Sequence, residues 1–283
     1  MKYVITSKDE YAGDSLNDKA DPLSVTEIAT ELIITRLYLI DLLKRGEVAV
    51  NDTVVCIEDR KCLYQNIFNN IISYSEFKKI DESVTVLDLL DPGLFNMLAA
   101  GSVESRLIPY LPFYQNWDRD KNEILNVRKS ELNDYDTSKP FICLVIRKRQ
   151  AWSEKNMSDQ FWHDTVSFLE ESGINVFVFG KEADSFCTDK TTYIKNYQDW
   201  CTIVQSENCV HVASTMTGGV YPLLIFGNPS CKMTIIDNTG LMQKYGYDPS
   251  FYHECINFSK INISFLRNIP TIESFCYEIT KDI

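Results

Sequence analysis

The sequence predicts an α/β protein with two Rossmann-like lobes that face each other across a cleft. Short apolar runs alternate with stretches of helical period in both halves of the chain. A polar stretch at 116–139 separates the halves, and 283 residues are typical of about two domains. We therefore predict an N-terminal lobe at 1–135 and a C-terminal lobe at 136–264. A terminal helix at 265–283 can cross back to the first lobe.

The N-terminal lobe is predicted to begin with a strand at Tyr3–Thr6, where the chain is apolar. A long polar loop follows. The segment Ser24-Val-Thr-Glu27 then has the form of a capping box, which opens a helix. Apolar residues recur at helical spacing until Gly46 ends this helix. The other predicted elements of the lobe are a strand at 53–57, a helix at 61–72 and a strand at 84–87.

The C-terminal lobe is predicted to begin with Phe141–Ile146, a continuous apolar run typical of a strand covered on both faces. Ser158 is expected to cap a helix that ends at Gly173. A strand at Val176–Phe179 then ends at Gly180. The remaining predicted elements are a strand at 209–213, a helix at 220–226, a strand at 233–236 and a helical segment beyond about residue 264.

Composition and charge limit the class of protein. The chain has 28 basic and 40 acidic residues, a net charge of −12. Broad nucleic-acid binding is therefore not expected, because it needs a basic surface. The first apolar run is short, and no run approaches the ~18–20 residues that span a bilayer, so neither a signal peptide nor a transmembrane segment is predicted. The nine cysteines form no CxxC pair, which indicates free thiols in a reducing compartment and a cytoplasmic protein.

A cluster of three basic residues follows the first strand of the C-terminal lobe. In open α/β sheets, ligands bind beyond the carboxyl ends of the strands. Arg147, Lys148 and Arg149 stand at such an end and are the densest positive cluster of the chain. Three cations directed into a cleft could neutralise a diphosphate without a metal. A solvated basic turn is the alternative interpretation.

Two further candidates follow other predicted strands. Thr215, Thr217, Gly218 and Gly219 lead directly into a helix. Hydroxyls and glycines at a helix start let backbone N–H groups approach an anion closely, although a plain capped turn has the same pattern. Glu182 could accept hydrogen bonds from ribose hydroxyls, or be a solvated loop carboxylate. No GxGxxG, GxxxxGK[ST] or GxSxG motif occurs, which disfavours dehydrogenases, P-loop NTPases and serine hydrolases.

The C-terminal half resembles the donor-binding domain of GT-B glycosyltransferases, and most of all the heptosyltransferase family. The resemblance lies over 140–237, in VIRKRQAWSEKNMSDQFW, INVFVFGKE and TMTGGVYPLLIFGNP. It implies a GT-B fold and a nucleotide-diphosphate sugar donor bound to the C-terminal lobe. It also implies a glycan or small hydroxyl acceptor on the N-terminal lobe, and no cofactor besides the substrates. Thr215 or Met216 replaces an acidic residue of the family, and Tyr221 or Pro222 replaces a histidine.

The same resemblance implies a catalytic base. Gly13-Asp14 stands where the family carries a Gly-Asp pair after its first strand, so Asp14 is implied to deprotonate the acceptor hydroxyl. The alternative is that the carboxylates of this loop are solvated charges. Asp118-Arg119-Asp120 resembles the DxD metal motif of GT-A enzymes, a weaker alternative, and no metal site is predicted. A non-catalytic nucleotide- or partner-binding module and another phosphate-handling transferase remain alternative functions.

Overall fold

The computed structural model of the protein describes residues 1–8, 31–80, 83–90, 127, 129–148, 153–180, 183–215, 217–238, 261–281 and 283. The chain divides into two compact units, Met1–Arg128 and Lys129–Ile283. Each unit has its own parallel sheet, so the predicted α/β fold class is confirmed. The division falls earlier than the predicted limit between 135 and 136. The reason is that Tyr135 packs in the second unit, where its hydroxyl donates to the Asp199 carboxylate at 2.8 Å.

The described residues of the N-terminal unit form a sheet of four parallel strands in the order β3-β2-β1-β4. Their bounds are Tyr3–Ile5 for β1, Thr53–Cys56 for β2, Asn70–Ser73 for β3 and Val86–Asp88 for β4. The predicted strands at the positions of β1, β2 and β4 are confirmed. The predicted helix at 61–72 is wrong, because the chain forms a short 3₁₀ helix and then pairs β3 with β2. Short apolar runs are ambiguous between helix and strand until their partner is known.

Two α-helices are described in the N-terminal unit. Helix α1, Arg36–Lys44, continues a π-helical turn at Glu31–Thr35. It ends before Gly46, whose φ of 73° suits a residue without a Cβ, so the predicted helix stop is confirmed. Helix α2, Tyr74–Phe77, begins with a capping box formed by Ser73 and Glu76. The predicted capping box at 24–27 lies outside the described residues.

The sheet of the C-terminal unit has six parallel strands in the order β10-β9-β8-β5-β6-β7. Counted along the chain from β5, this is the order 3-2-1-4-5-6 of doubly wound dinucleotide-binding folds. The strands are Phe141–Val145 (β5), Asn175–Phe179 (β6), Thr192–Tyr193 (β7), Cys209–Thr215 (β8), Lys232–Asp237 (β9) and Asn262–Arg267 (β10). Every residue of β5 is buried, as its continuous apolar run predicts.

The α-helices described in this unit are α3 (Asp159–Glu171), α4 (Tyr197–Ile203), α5 (Tyr221–Phe226) and α6 (Ile272–Thr280). Ser158 caps α3 as predicted, accepting a hydrogen bond from the Phe161 amide at 3.2 Å. The prediction for 265–283 is corrected in two ways. The segment begins inside a strand, and its helix packs within the C-terminal unit, where the ring of Phe275 lies 5.3 Å from that of Phe161. Burial of this apolar face holds α6 in place.

Membrane and thiol features can be stated for the described part of the chain. None of its helices is both long and apolar enough to cross a membrane. Its cysteines are free thiols, and all of them except Cys187 are buried. Burial raises the pKa of the Cys276 thiol to about 12.

Candidate functional site

The strand order of the C-terminal sheet reverses between β5 and β8, which are neighbours. Such a switch point opens a crevice at the carboxyl ends of the strands, where ligands of doubly wound folds bind. A hydrogen bond from the Ser214 hydroxyl to the Val145 carbonyl, at 2.6 Å, joins the two strand ends. The basic cluster follows β5 and the glycine-rich segment follows β8. The fold therefore brings both sequence-predicted groups to one edge of the sheet.

Arg147 is held firmly at the end of β5. Its guanidinium is largely buried and donates to the Asn156 side-chain oxygen. Asn156 is itself held in place, because its backbone carbonyl accepts a hydrogen bond from the side-chain amide of Asn238 at 3.1 Å. The same side-chain amide donates to the backbone carbonyl of Glu154 at 3.0 Å. The loop after β5 is thus tied to the end of β9. A guanidinium has several N–H donors in a planar fork, so it can be fixed on one side and bind an anion on another.

Lys148 lies nearer the surface than Arg147. Its ammonium forms a 3.1 Å ion pair with Asp159, and the two side chains are 38% and 60% exposed. It also lies 5.3 Å from the centroid of the Phe186 ring. Exposed ion pairs contribute little stability, typically about 0–1 kcal/mol, so this ammonium can exchange its partner for an anionic ligand. Arg149 lies outside the described residues.

Thr215 is the last residue of β8 and is completely buried. Within the described residues its hydroxyl oxygen has no hydrogen-bond partner. A buried hydroxyl left unpaired costs about 1–3 kcal/mol. One explanation for such a group is a ligand or water that supplies the missing bond. Thr215 therefore stands out as a polar group available at the end of the central strand.

The glycine-rich segment forms a tight turn before α5. Thr217 caps it, and the Thr217 hydroxyl accepts a hydrogen bond from the Gly219 amide at 3.4 Å. This amide is therefore directed into the turn, whereas the sequence reading expected it to face an anion. A Cβ on Gly219 would lie 2.8 Å from a methyl of Val145, so only glycine fits this approach to β5. Pro222 lies in the first turn of α5, as predicted.

The end of β6 also presses against the end of β5. Gly180 has a φ of 145°, and a Cβ there would lie 2.1 Å from the Ile146 carbonyl oxygen. The hydroxyl of Tyr193 donates to the Gly180 carbonyl at 3.0 Å and fixes this corner. Glu182, the predicted ribose ligand, lies outside the described residues.

In the N-terminal unit the strand order reverses between β1 and β4. Lys8, just after β1, forms a 2.8 Å ion pair with Asp88, the last residue of β4. The Leu90 amide donates to the other Asp88 oxygen at 2.9 Å. Sequence reasoning missed this pair because its members are 80 positions apart. The one sequence feature that could have indicated this pair is the Asp88 carboxylate, which directly follows the predicted strand at 84–87. Asp14 lies outside the described residues.

A buried carboxylate organises the same edge of the N-terminal sheet. Glu31 is completely buried and pairs with Arg60. It also accepts hydrogen bonds from the hydroxyls of Ser7 at 3.0 Å and Tyr64 at 2.7 Å. Burial, with the nearby Glu31 charge as a second cause, raises the pKa of Tyr64 well above its usual value. Because its hydrogen bonds are satisfied, Glu31 has a structural role, joining the start of α1's π-helical turn to the end of β1.

No family model and no curated protein sequence matches the chain. Solved structures do. A glycosyl transferase family 9 protein from Veillonella parvula is 11% identical over 99% of this chain and 88% of its own, with a TM-score of 0.53. The E. coli ADP-heptose LPS heptosyltransferase II is 11% identical over 96% of this chain and 91% of its own, with a TM-score of 0.52. The chain has the fold of these glycosyltransferases.

The predicted GT-B-type fold and the resemblance to heptosyltransferases are therefore confirmed as a likeness of fold. Six of the predicted site residues are among the described residues. Two of them lie at the end of β5, and the other four lie at the end of β8. The first group is Arg147 and Lys148, and the second is Thr215, Thr217, Gly218 and Gly219. The sequence reading missed Trp200, whose indole N–H donates to the Gly219 carbonyl at 2.8 Å. A tryptophan in an unpredicted helix gave no signal of this contact.

Proposed function

We propose that this protein transfers a sugar from a nucleotide-diphosphate donor to a hydroxyl acceptor, a glycan or a smaller molecule, without a metal ion. The observation that carries the proposal is the β5–β8 switch point. There a buried arginine after β5 lies at the same sheet edge as the glycine turn after β8 and the buried Thr215 hydroxyl, which has no partner among the described residues. A fold alone does not fix a function, so the proposal depends on these groups. One structural neighbour is an ADP-heptose LPS heptosyltransferase, which supports a nucleoside diphosphate as the leaving group.

The donor diphosphate would lie across the ends of β5 and β8. Arg147 and Lys148 would offset its negative charge, and Thr215 would donate its unpaired hydroxyl proton to a phosphate oxygen. Negative charge develops on the diphosphate as the sugar leaves, so fixed cations and donors there lower the barrier. Arg149 and Glu182, the latter as a ribose ligand, remain part of this proposal.

Asp14 is proposed as the base that deprotonates the acceptor hydroxyl. Removal of a general base usually slows a reaction by about 10²–10⁴-fold. Asp14→Asn is therefore expected to lose transfer by that factor while the affinity for nucleoside diphosphate stays within twofold. Asp9→Asn, in the same polar loop, is the matched control. Full transfer activity in Asp14→Asn would move the base to another carboxylate.

Calorimetric titration with ADP, UDP, GDP and CDP, with and without EDTA, tests the donor site. We expect saturable binding by at least one nucleotide that persists in EDTA, and a gain of about 2.7 kcal/mol in stability at 100 times the Kd. Arg147→Gln is expected to weaken nucleotide binding about tenfold or more. The control is Lys139→Gln, since Lys139 is an exposed cation two residues before β5, at the opposite edge of the sheet. Binding lost in EDTA would favour a metal-dependent enzyme, and no binding would contradict the proposal.

A non-catalytic binding module is the second candidate. The observation that favours it is the neutral, buried Thr215 near the position where the resembling family has an acidic residue. Nucleotide-sugar hydrolysis and transfer assays separate the two functions. A binding module would show nucleotide affinity with neither hydrolysis nor transfer.

A further inference from the structure

Trp200 is a completely buried residue of α4 that contacts the glycine turn of the proposed donor site. Its indole N–H donates to the Gly219 carbonyl at 2.8 Å. Its ring stacks on that of Phe179, with centroids 5.0 Å apart and planes 15° apart. Phe179 is the last residue of β6, so the indole packs on the sheet while its N–H bonds the turn.

The same turn is held on its other sides. Gly219 approaches the Val145 side chain so closely that a Cβ would lie 2.8 Å from its methyl. Its amide is bonded to the Thr217 hydroxyl at 3.4 Å. The bond from Trp200 therefore restrains the one remaining polar group of Gly219, the carbonyl oxygen. Because Gly219 is a glycine, its backbone would otherwise have wide conformational freedom.

We propose that Trp200 is a positioning residue that sets the glycine turn for an anionic ligand, the diphosphate of the donor. A peptide that rotates freely can direct its carbonyl oxygen, a partial negative charge, at the anion. The indole N–H donates a hydrogen bond to this oxygen and keeps it directed away from the ligand. The diphosphate can then bind beside the turn without repulsion from the Gly219 carbonyl. The inference rests on the proposed function, and it adds a residue that touches neither the nucleotide nor the sugar.

Trp200→Phe tests this role, because phenylalanine keeps an aromatic ring for the stack but has no N–H donor. Trp162→Phe is the matched control. Trp162 is a buried tryptophan of the same unit, and its indole nitrogen has no hydrogen-bond partner in the part of the chain that the structure describes. Both substitutions remove similar ring area, so both should lower the unfolding temperature. Only the first removes a bond to the turn.

Calorimetric titration of the full-length variants with ADP, UDP, GDP and CDP, well below their unfolding temperatures, gives the readout. We expect Trp200→Phe to raise the Kd of the binding nucleotide about five- to tenfold, the worth of about one hydrogen bond. Trp162→Phe should stay within twofold of the unmodified protein. Should Trp200→Phe not fold, Phe179→Leu removes the ring on which the indole stacks and should weaken binding in the same direction.

The outcomes separate this inference from the proposed function. An unchanged Kd in Trp200→Phe, or an equal rise in Trp200→Phe and Trp162→Phe, overturns the positioning role while the donor site stands. Failure of the unmodified protein to bind any of the four nucleotides overturns the proposed function, and the inference with it.

Discussion

At the scale of single residues, the contact between Gly219 and Val145 decides how closely the turn after β8 approaches β5. A methyl group on Gly219 would lie 2.8 Å from a Val145 methyl and would force the strand end or the turn to move. The sequence predicted that the two glycines form a turn at a helix start. It could not predict the reason for glycine, because Val145 is far away along the chain and becomes a neighbour only through the pairing of β5 with β8.

Gly219→Ala is expected to lower the free energy of unfolding by about 1–3 kcal/mol through overpacking, and to weaken nucleotide binding. Val145→Ala in the same chain makes room for the added methyl group, so the double variant should recover part of the loss. Denaturant unfolding of the parent, both single variants and the double variant gives the coupling between the sites. Additive losses would show that the two side chains do not meet.

At the scale of elements, the continuous apolar runs were predictable, and three of the four described edge strands were not. Strands β5, β6, β8 and β9 are buried and read as apolar runs, and α3 has a clear cap. Strands β3, β7 and β10 were missed because they are short or only half-buried, and their pairing with β2, β6 and β9 is non-local. Non-local pairing overrides local preference in such segments.

The capping box of α2 yields a pH prediction. The Ser73 amide donates to the Glu76 carboxylate at 2.6 Å, and this bond, with others from the Ser73 hydroxyl and Lys61, lowers the pKa of Glu76 from 4.5 to about 2. A carboxyl group whose pKa is lower in the folded state than in the unfolded state stabilises the fold at any pH above the unfolded-state pKa. This stabilisation is lost as the pH falls through the folded-state pKa. The α2 start should therefore be intact above about pH 4.5 and weaken as the pH falls towards 2.

Amide chemical shifts of Ser73 and Glu76, followed by NMR between pH 6 and pH 2, measure this effect. We expect both to titrate together with a midpoint well below 4.5. Glu76→Gln, which keeps an acceptor but cannot ionise, should remove the titration. A midpoint near 4.5 in the unmodified protein would mean that the capping box does not form in solution.

At the scale of the whole molecule, the sequence indicated two α/β units because strand–helix alternation restarts after a polar stretch. It also placed the basic cluster and the glycine turn after strands, and the doubly wound order then brings these strands together at the switch point. What it could not give is the hydrogen-bonded support of that edge. Asn156, Asn238 and Trp200 come from separate elements, and their contacts exist only in the folded sheet.

The proposed function requires that a nucleoside diphosphate binds at the carboxyl ends of β5 and β8. Hydrogen–deuterium exchange of the full-length protein, with and without saturating ADP, UDP, GDP or CDP, tests it directly. We expect slower exchange at residues 145–148 and 217–220 with the nucleotide that binds, and this protection should be lost in Arg147→Gln. Bound nucleotide that leaves both segments unprotected, or that protects only residues of the N-terminal unit, would contradict the account.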